Sequence, residues 1–205
     1  MKTSLIFTFF LAASLVLSGC GNKQEETETE EEASEKSPAD ALQAFADKAK
    51  EMGNREAVDP VDFRKLKEIL PEELSGLKRT ESTGEKSGAM GFTVSTAEGK
   101  YRGNSDESID VEIIDTGGIA GVSTMALAAW SMADIDKETT TGYEKTTKID
   151  GYKAFEKYNN ESKSGEINVL VGDRYLVNIE GNNVSIDQIK GILKEIDLSE
   201  LAALK

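Results

Sequence analysis

The sequence predicts an α+β domain, an antiparallel sheet packed against helices, carried behind an apolar leader and a disordered acidic tether. Three observations lead there. Short runs of strand character, separated by Gly, Asn and Asp turns, fill the middle and later parts of the chain. The clearest of them, Ser108-Ile109-Asp110-Val111-Glu112-Ile113-Ile114, alternates with a period of two, which sends Ile109, Val111 and Ile113 to one face of a pleated strand. Capped helical patterns stand before and after the strand runs, an order that favours hairpin-linked antiparallel pairing.

The first helix starts at Ser37-Pro38, with Ser37 as N-cap and Pro38 at the first helical position, and runs to Met52 before Gly53-Asn54. A second helix spans Pro60 to Leu70, with Val61, Phe63, Leu66, Ile69 and Leu70 as its apolar positions, and Pro71 closes it. Strands are expected at Leu77 to Ser82, at Gly91 to Thr96 and, after a bend, at Lys100 to Gly103, followed by the Ser108 to Ile114 strand. Gly117 to Ala133 is uncharged and rich in Ala, Met and Gly, with Ile119, Val122, Ala126, Ala129, Trp130 and Ala133 at helical spacing. Asp134 to Thr141 reads as a polar linker. Four strands then follow at Tyr143 to Lys148, Tyr152 to Tyr158, Ser164 to Val171 and Tyr175 to Glu180. Their turns come from Gly151, Asn159 to Lys163, and Gly172-Asp173. Ser185 caps a last helix from Ile186 to Ile196, and Leu198 to Leu204 adds a short helical end.

Composition narrows the chemistry. The 205 residues include 24 Lys and Arg against 38 Asp and Glu, a formal charge of −14, and Lys2 is the one charged residue before Cys20. Such a polyanion is repelled by nucleic-acid phosphates and by anionic headgroups. There is no His, so no Ser–His–Asp triad, Cys–His pair or His-based zinc site can form. The single Cys, Cys20, allows no intramolecular disulfide, so packing alone holds the fold. No residue pattern calls for a cofactor or a bound metal.

Met1-Lys2 is a small basic start, and Thr3 to Gly19 is an uncharged, mostly apolar run. It ends in Leu17-Ser18-Gly19-Cys20. The order of basic start, apolar run, small residues and obligatory Cys resembles the bacterial lipoprotein precursors and their lipobox. The resemblance implies that residues 1–19 are a signal peptide removed on export. It also implies that the Cys20 thiol accepts a diacylglyceryl group, and that cleavage frees the Cys20 amine for further acylation. Small side chains at Ser18 and Gly19 let an extended backbone enter the peptidase. Gly21 follows the Cys where Asp would imply retention in an inner membrane, so in a host with two membranes the pattern implies the outer one. The acidic stretch behind it also resembles the surface-export signal of some outer-membrane lipoproteins.

Asn22 to Ser37 carries Glu25, Glu26, Glu28, Glu30, Glu31, Glu32 and Glu35 against Lys23 and Lys36, with no large apolar residue. It cannot bury enough surface to offset its ordering entropy, and it reads as a disordered spacer. As a flexible chain it would span roughly 20–25 Å. The expected division is therefore signal peptide at 1–19, lipidated Cys and acidic tether at 20–37, helix and linker at 38–59, and one α+β domain at 60–205.

Within that domain, Lys148-Ile149-Asp150-Gly151-Tyr152-Lys153-Ala154 and the hairpin Ile167 to Val177, together with the order of elements, resemble the PsbP/Mog1-like sandwiches. That family places a central antiparallel sheet between helices. It has no single shared activity, so the resemblance assigns no catalytic residue here.

Four segments invite sharper readings. Asp115-Thr116-Gly117 spells the triplet of aspartic proteases, and Leu170-Val171-Gly172 resembles their apolar-apolar-Gly segment. That chemistry shares a proton between two such Asp residues, so a lone triplet would need a dimer. The simpler role has Asp115 or Thr116 capping the helix that follows, with Gly117-Gly118 as the turn. Gly117 to Ala133, with Gly117 and Gly121 spaced as G-x-x-x-G, is too short and too rich in Gly, Ser and Thr for a membrane span. It reads as a helix lying close on the sheet. Asn104-Ser105-Asp106-Glu107 lacks the spaced oxygen ligands of a calcium loop and reads as a hairpin tip. Tyr101, Tyr143, Tyr152, Tyr158, Tyr175 and Trp130 are ordinary for half-buried strands, with a ligand groove as the alternative.

The functional expectation is a lipid-anchored cell-envelope protein whose exported domain is a binding or assembly module rather than an enzyme. Its membrane contact is the lipid on Cys20, and its protein or small-ligand partner is unnamed by the sequence. The alternatives are a small-ligand or metal-binding lipoprotein and a carboxylate-based hydrolase using Asp115.

Overall fold

The structure, a computed structural model, describes residues 38–53, 58–89, 92–103, 105–117, 130 and 132–204. The leader, Cys20, the tether, Asn104 and most of Gly117 to Ala133 lie outside the described residues.

Helix α1 (Pro38–Gly53) is followed by α2 (Phe63–Ile69). The strands come next: β1 (Glu73–Leu74), β2 (Leu77–Ala89), β3 (Phe92–Arg102) and β4 (Ser108–Asp115). After the 116–135 connection come β5 (Asp136–Glu138), β6 (Gly142–Ile149), β7 (Tyr152–Asn159), β8 (Ser164–Val171) and β9 (Tyr175–Asn182). Helices α3 (Ile186–Glu195) and α4 (Leu198–Ala203) end the chain. The nine strands among the described residues form one sheet, ordered β1-β2-β3-β4-β9-β8-β7-β6-β5. Every neighbouring pair is antiparallel. Two meanders thus meet at β4 and β9, in register from Ser108↔Asn182 to Asp115↔Tyr175. The α+β antiparallel architecture is as the sequence predicts, with the sheet the dominant layer.

The alternation that marks β4 in the sequence sorts the whole sheet. Ile109, Val111 and Ile113 are buried, while Ser108, Asp110, Glu112 and Ile114 on the opposite face are half-buried. Register carries the buried face across Ala97 and Tyr101 of β3, Val177 and Ile179 of β9, Ile167 and Val169 of β8, and Ala154 of β7. One core cluster joins these residues to Leu66 and Ile69 of α2, Ile189, Ile192 and Leu193 of α3, and Leu198 and Leu201 of α4. We call this the core face and the opposite one the open face.

Local chemistry sets the boundaries. Helix α2 begins at Phe63 rather than Pro60, because Asp62 is its N-cap and accepts from Arg64 N at 2.8 Å. Val61 ahead of it is held by a long-range bond described below. The helix stops at Leu70, extended at ψ 113° before Pro71. Helix α3 opens with a capping box, Ser185 and Gln188 each satisfying the other's backbone N–H. Asp150-Gly151 (φ +49° and +83°) and Ser75-Gly76 (φ +50° and +83°) are the left-handed pairs that two-residue hairpin loops require.

Three expectations are corrected. Strand β2 continues past Ser82 to Ala89. Strand β3 is unbroken, without the bend expected before Lys100. Gly99, just before Lys100, lies under the Tyr101 ring, where an added Cβ would come within 3.0 Å of it. The small side chain marks close packing rather than a turn. Finally, the polar linker contains β5, which pairs Asp136↔Lys145 and Glu138↔Tyr143. Its three residues are all exposed and charged, so no alternation announces it.

Candidate functional site

Asp115 closes β4 on the core face and is 0% exposed. Its Oδ1 accepts from Arg174 Nε at 2.7 Å and from Gly117 N at 2.8 Å. Its Oδ2 accepts from Arg174 Nη2 at 2.6 Å and from Val61 N at 2.8 Å. A carboxylate offers about four lone-pair sites, and all are spoken for. Asp115 thereby ties three segments together: the end of β4, the approach to α2, and the β8–β9 turn carrying Arg174. The hydrogen bond and charge of Asp115 hold the Arg174 guanidinium above its ordinary value, against the opposing effect of burial. Gly117 takes a positive φ of 62° here, and a Cβ would sit 2.5 Å from the Val58 carbonyl. The turn formed by Asp115 and Gly117 is present, and the helix expected after it falls outside the described residues. This bonding is that of a structural clamp.

The tyrosines serve the core rather than a single groove. Tyr101 donates to the Pro71 carbonyl at 2.8 Å, Tyr158 to that of Val184 at 2.9 Å, and Tyr175 to that of Leu204 at 3.0 Å. Each hydroxyl thus closes an open backbone acceptor beside the sheet. Tyr143 donates to Glu156, a residue the sequence reading missed. Glu156 lies on β7 between Ala154 and Tyr158 on the core face and is 1% exposed. Lys190 of α3 stands 2.9 Å from it and Lys145 of β6 3.8 Å. Burial first, then the Glu156 bond and charge, push the Tyr143 hydroxyl well above its ordinary range. The signal was available, because a Glu two residues from both Ala154 and Tyr158 must share their buried face.

The open face is of a different character. Reading across strands in register, one row is Lys100, Asp110, Glu180, Glu166, Lys157 and Glu144. The next is Glu98, Glu112, Asn178, Asn168, Phe155 and Thr146. These rows floor three adjoining hollows. One of about 340 Å³ is lined by Glu144, Lys157, Asn159, Ser164, Glu166 and Glu180 among others. A second, about 280 Å³, shares Glu180 and adds Asp110, Glu112, Asn168 and Asn178. The third, about 310 Å³, shares Glu98 and Glu112 with the second and reaches Thr83 and Glu85 of β2. Together they make an acidic trough running from β6 to β2.

Part of its charge is paired. Arg102 meets Asp110 at 2.5 Å, Lys100 meets Glu81 at 3.4 Å and Glu98 at 3.8 Å, and Lys157 meets Glu144 at 3.7 Å. Asn178 donates to Glu112 at 3.0 Å. Among the described residues Glu85, Glu166 and Glu180 make no salt bridge. At the far end of this face the row Ile114, Leu176 and Leu170 is apolar, and Leu170 is buried. There the end of the β4–β5 connection meets the sheet, with the Ala133 carbonyl accepting from Lys153 and Thr146. Burial holds the Lys153 amine below its ordinary value, and Lys148 nearby adds to this while Asp134 opposes it.

Among the described residues, no three His, Cys, Asp or Glu side chains gather closely enough to hold a metal ion. No described helix is long and apolar enough to cross a membrane. No protein-family model, curated protein or solved structure matches this chain.

Proposed function

We propose that this chain is a lipid-anchored cell-envelope protein whose α+β domain is a binding or assembly module that docks its partner on the open face of the sheet. The anchoring half rests on Leu17-Ser18-Gly19-Cys20 and the acidic spacer behind it. A diacylglyceryl group supplies the second acyl chain that stable anchoring needs. The docking half rests on one observation. The core face is filled by apolar side chains and three helices, whereas the open face carries a continuous trough of carboxylates and amides whose full charge the fold does not pair. Surface charge of one sign over several strands attracts a partner of the opposite sign and speeds its arrival.

Two experiments test this. Expressed in a bacterium with its own leader, the chain should fractionate with membranes, and Cys20→Ser should leave a folded, soluble protein. Retention of the variant on the membrane after leader cleavage would contradict the anchor. A photo-crosslinking residue at Asn178, on the open face, should give discrete adducts in the living cell. One at Lys194, on the exposed side of α3, should not. Equal yields at both positions, or none at either, would contradict the docking face.

A further inference from the structure

The two edges of the sheet are finished differently. Natural sheets protect an edge by keeping it short, charged or covered, because its unpaired N–H and C=O groups otherwise recruit another strand. Edge strand β5 follows that rule, with three exposed residues, Asp136, Lys137 and Glu138. At the other edge β1 covers very little. It pairs only Glu73↔Lys78 and Leu74↔Leu77, while β2 runs on for thirteen residues to Ala89. Lys67 of α2 donates to the Ser82 carbonyl at 3.2 Å. Beyond Ser82, no strand among the described residues lies outside Thr83 to Ala89. Thr83, Glu85, Lys86, Ser87 and Gly88 are all exposed, and this stretch has no Pro. Its pairing to β3 is regular, from Thr83↔Glu98 to Ala89↔Phe92.

A free edge and the trough meet at this strand. The hollow of about 310 Å³ has Thr83 and Glu85 of the edge as one wall and Glu98 and Glu112 as its floor. From β2 and β3, the side chains on the open face are Glu81, Thr83, Glu85 and Ser87 beside Lys100, Glu98, Thr96 and Val94. Lys100 is already shared between Glu81 and Glu98, and Arg102, next on this face of β3, already meets Asp110.

We infer that the outer edge of β2, from Thr83 to Ala89, accepts by strand addition an extended polypeptide segment of the partner bearing Lys or Arg at alternate positions. In an added strand every second side chain points to the open face, so alternate cations fall beside Glu85 at the β2 wall of the hollow that Glu98 and Glu112 floor. The main-chain ladder supplies affinity and the alternation supplies selection. A second copy of this chain is not the occupant. Antiparallel β2–β2 pairing sets Glu81, Thr83, Glu85 and Ser87 of both copies on one face, where like charges oppose each other.

This inference rests on the binding-module reading and deepens it by naming the edge and the partner's chemistry. The test uses the full lipidated chain in detergent and three synthetic peptides of about eight residues, a common strand length. One alternates Lys and Thr. The second has the same composition with the lysines in one block. The third is the alternating peptide with backbone N-methyl groups on alternate residues, made in both registers. The alternating peptide should slow amide hydrogen exchange at Thr83 to Ala89. It should bind about tenfold or more tighter than the block peptide and than at least one methylated register. A Glu85→Gln, Glu98→Gln double variant should weaken it about tenfold and flatten its salt dependence. Equal binding of all three peptides, protection at β5 instead of β2, or no binding would overturn the inference. If any of these occurred while Asn178 still gave adducts in cells, the edge inference would fall and the module reading would stand.

Discussion

The two faces of this sheet are written by adjacent residues of the same strands, one position apart, yet they answer to different demands. On β4, Ile109, Val111 and Ile113 vanish into the core, while Asp110 and Glu112 between them floor an acidic trough. Even the charged groups differ in use. On the core face Asp115 and Glu156 are almost wholly buried, and each is matched to cationic and hydrogen-bonding partners. On the open face the carboxylates outnumber the cations that could pair them. Stability is held on the core face, and charge is left unpaired on the open one.

The core face is most vulnerable at Asp115. Asp115→Ala leaves the Arg174 guanidinium, only 18% exposed, and the Val61 and Gly117 N–H groups without their acceptor. Removing one member of a buried ion pair costs about 3–5 kcal/mol. Urea unfolding followed by circular dichroism should show a loss of that size.

The second test is Tyr143→Phe, which deletes the bond to the Glu156 carboxylate and should cost about 1.5–3 kcal/mol near neutral pH. It should also change the alkaline limb. Tyr101, Tyr143 and Tyr175 all have hydroxyls raised above their ordinary value, burial being the first cause in each. Unfolded tyrosines release their protons near pH 10, whereas these folded ones keep theirs. The folded state then binds more protons, so stability is full below about pH 10 and declines as pH rises beyond it. Unfolding midpoints taken upward from pH 8 should show that decline, and Tyr143→Phe should make it shallower. A smaller effect comes from packing under α3. A Cβ on Gly181 would lie 2.5 Å from Val184 and 2.7 Å from Ile189, so Gly181→Ala should cost about 1–3 kcal/mol by overpacking.

Legibility in the sequence follows the same division. Where one face is buried, a period of two is printed in the residues, and β4, β8 and β9 were found to within a few positions. Caps with local partners were equally visible, as at Ser185 and Gln188. Three kinds of feature were not. The Thr83 to Ala89 stretch of β2 has polar residues on both faces, so no alternation separates it from a loop, and β5 is charged throughout. The approach to α2 is held by Val61 donating to Asp115, 54 positions away, and no local pattern encodes such a bond. The fate of Asp115 itself turned on Arg174, 59 positions on. The triplet Asp115-Thr116-Gly117 displayed the residue types but not the partners that make the carboxylate a clamp. The trough was the least legible of all, because its rows assemble from six strands and exist only once register is fixed. Cys20 is the reverse case, since its signal is contiguous and is read wholly from sequence.

The division between the two faces is tested most directly by the stability of the full chain with Glu85, Glu166 and Glu180, which make no salt bridge among the described residues, all changed to Gln. If the open face is reserved for a partner, relieving its like-charge repulsion leaves the urea midpoint unchanged or raises it, since surface substitutions away from structural bonds stay within about 0.5 kcal/mol each. A loss of more than about 2 kcal/mol, well outside that range and approaching the cost of breaking a buried pair, would show these carboxylates to be part of what holds the sheet together and would contradict the division between the two faces.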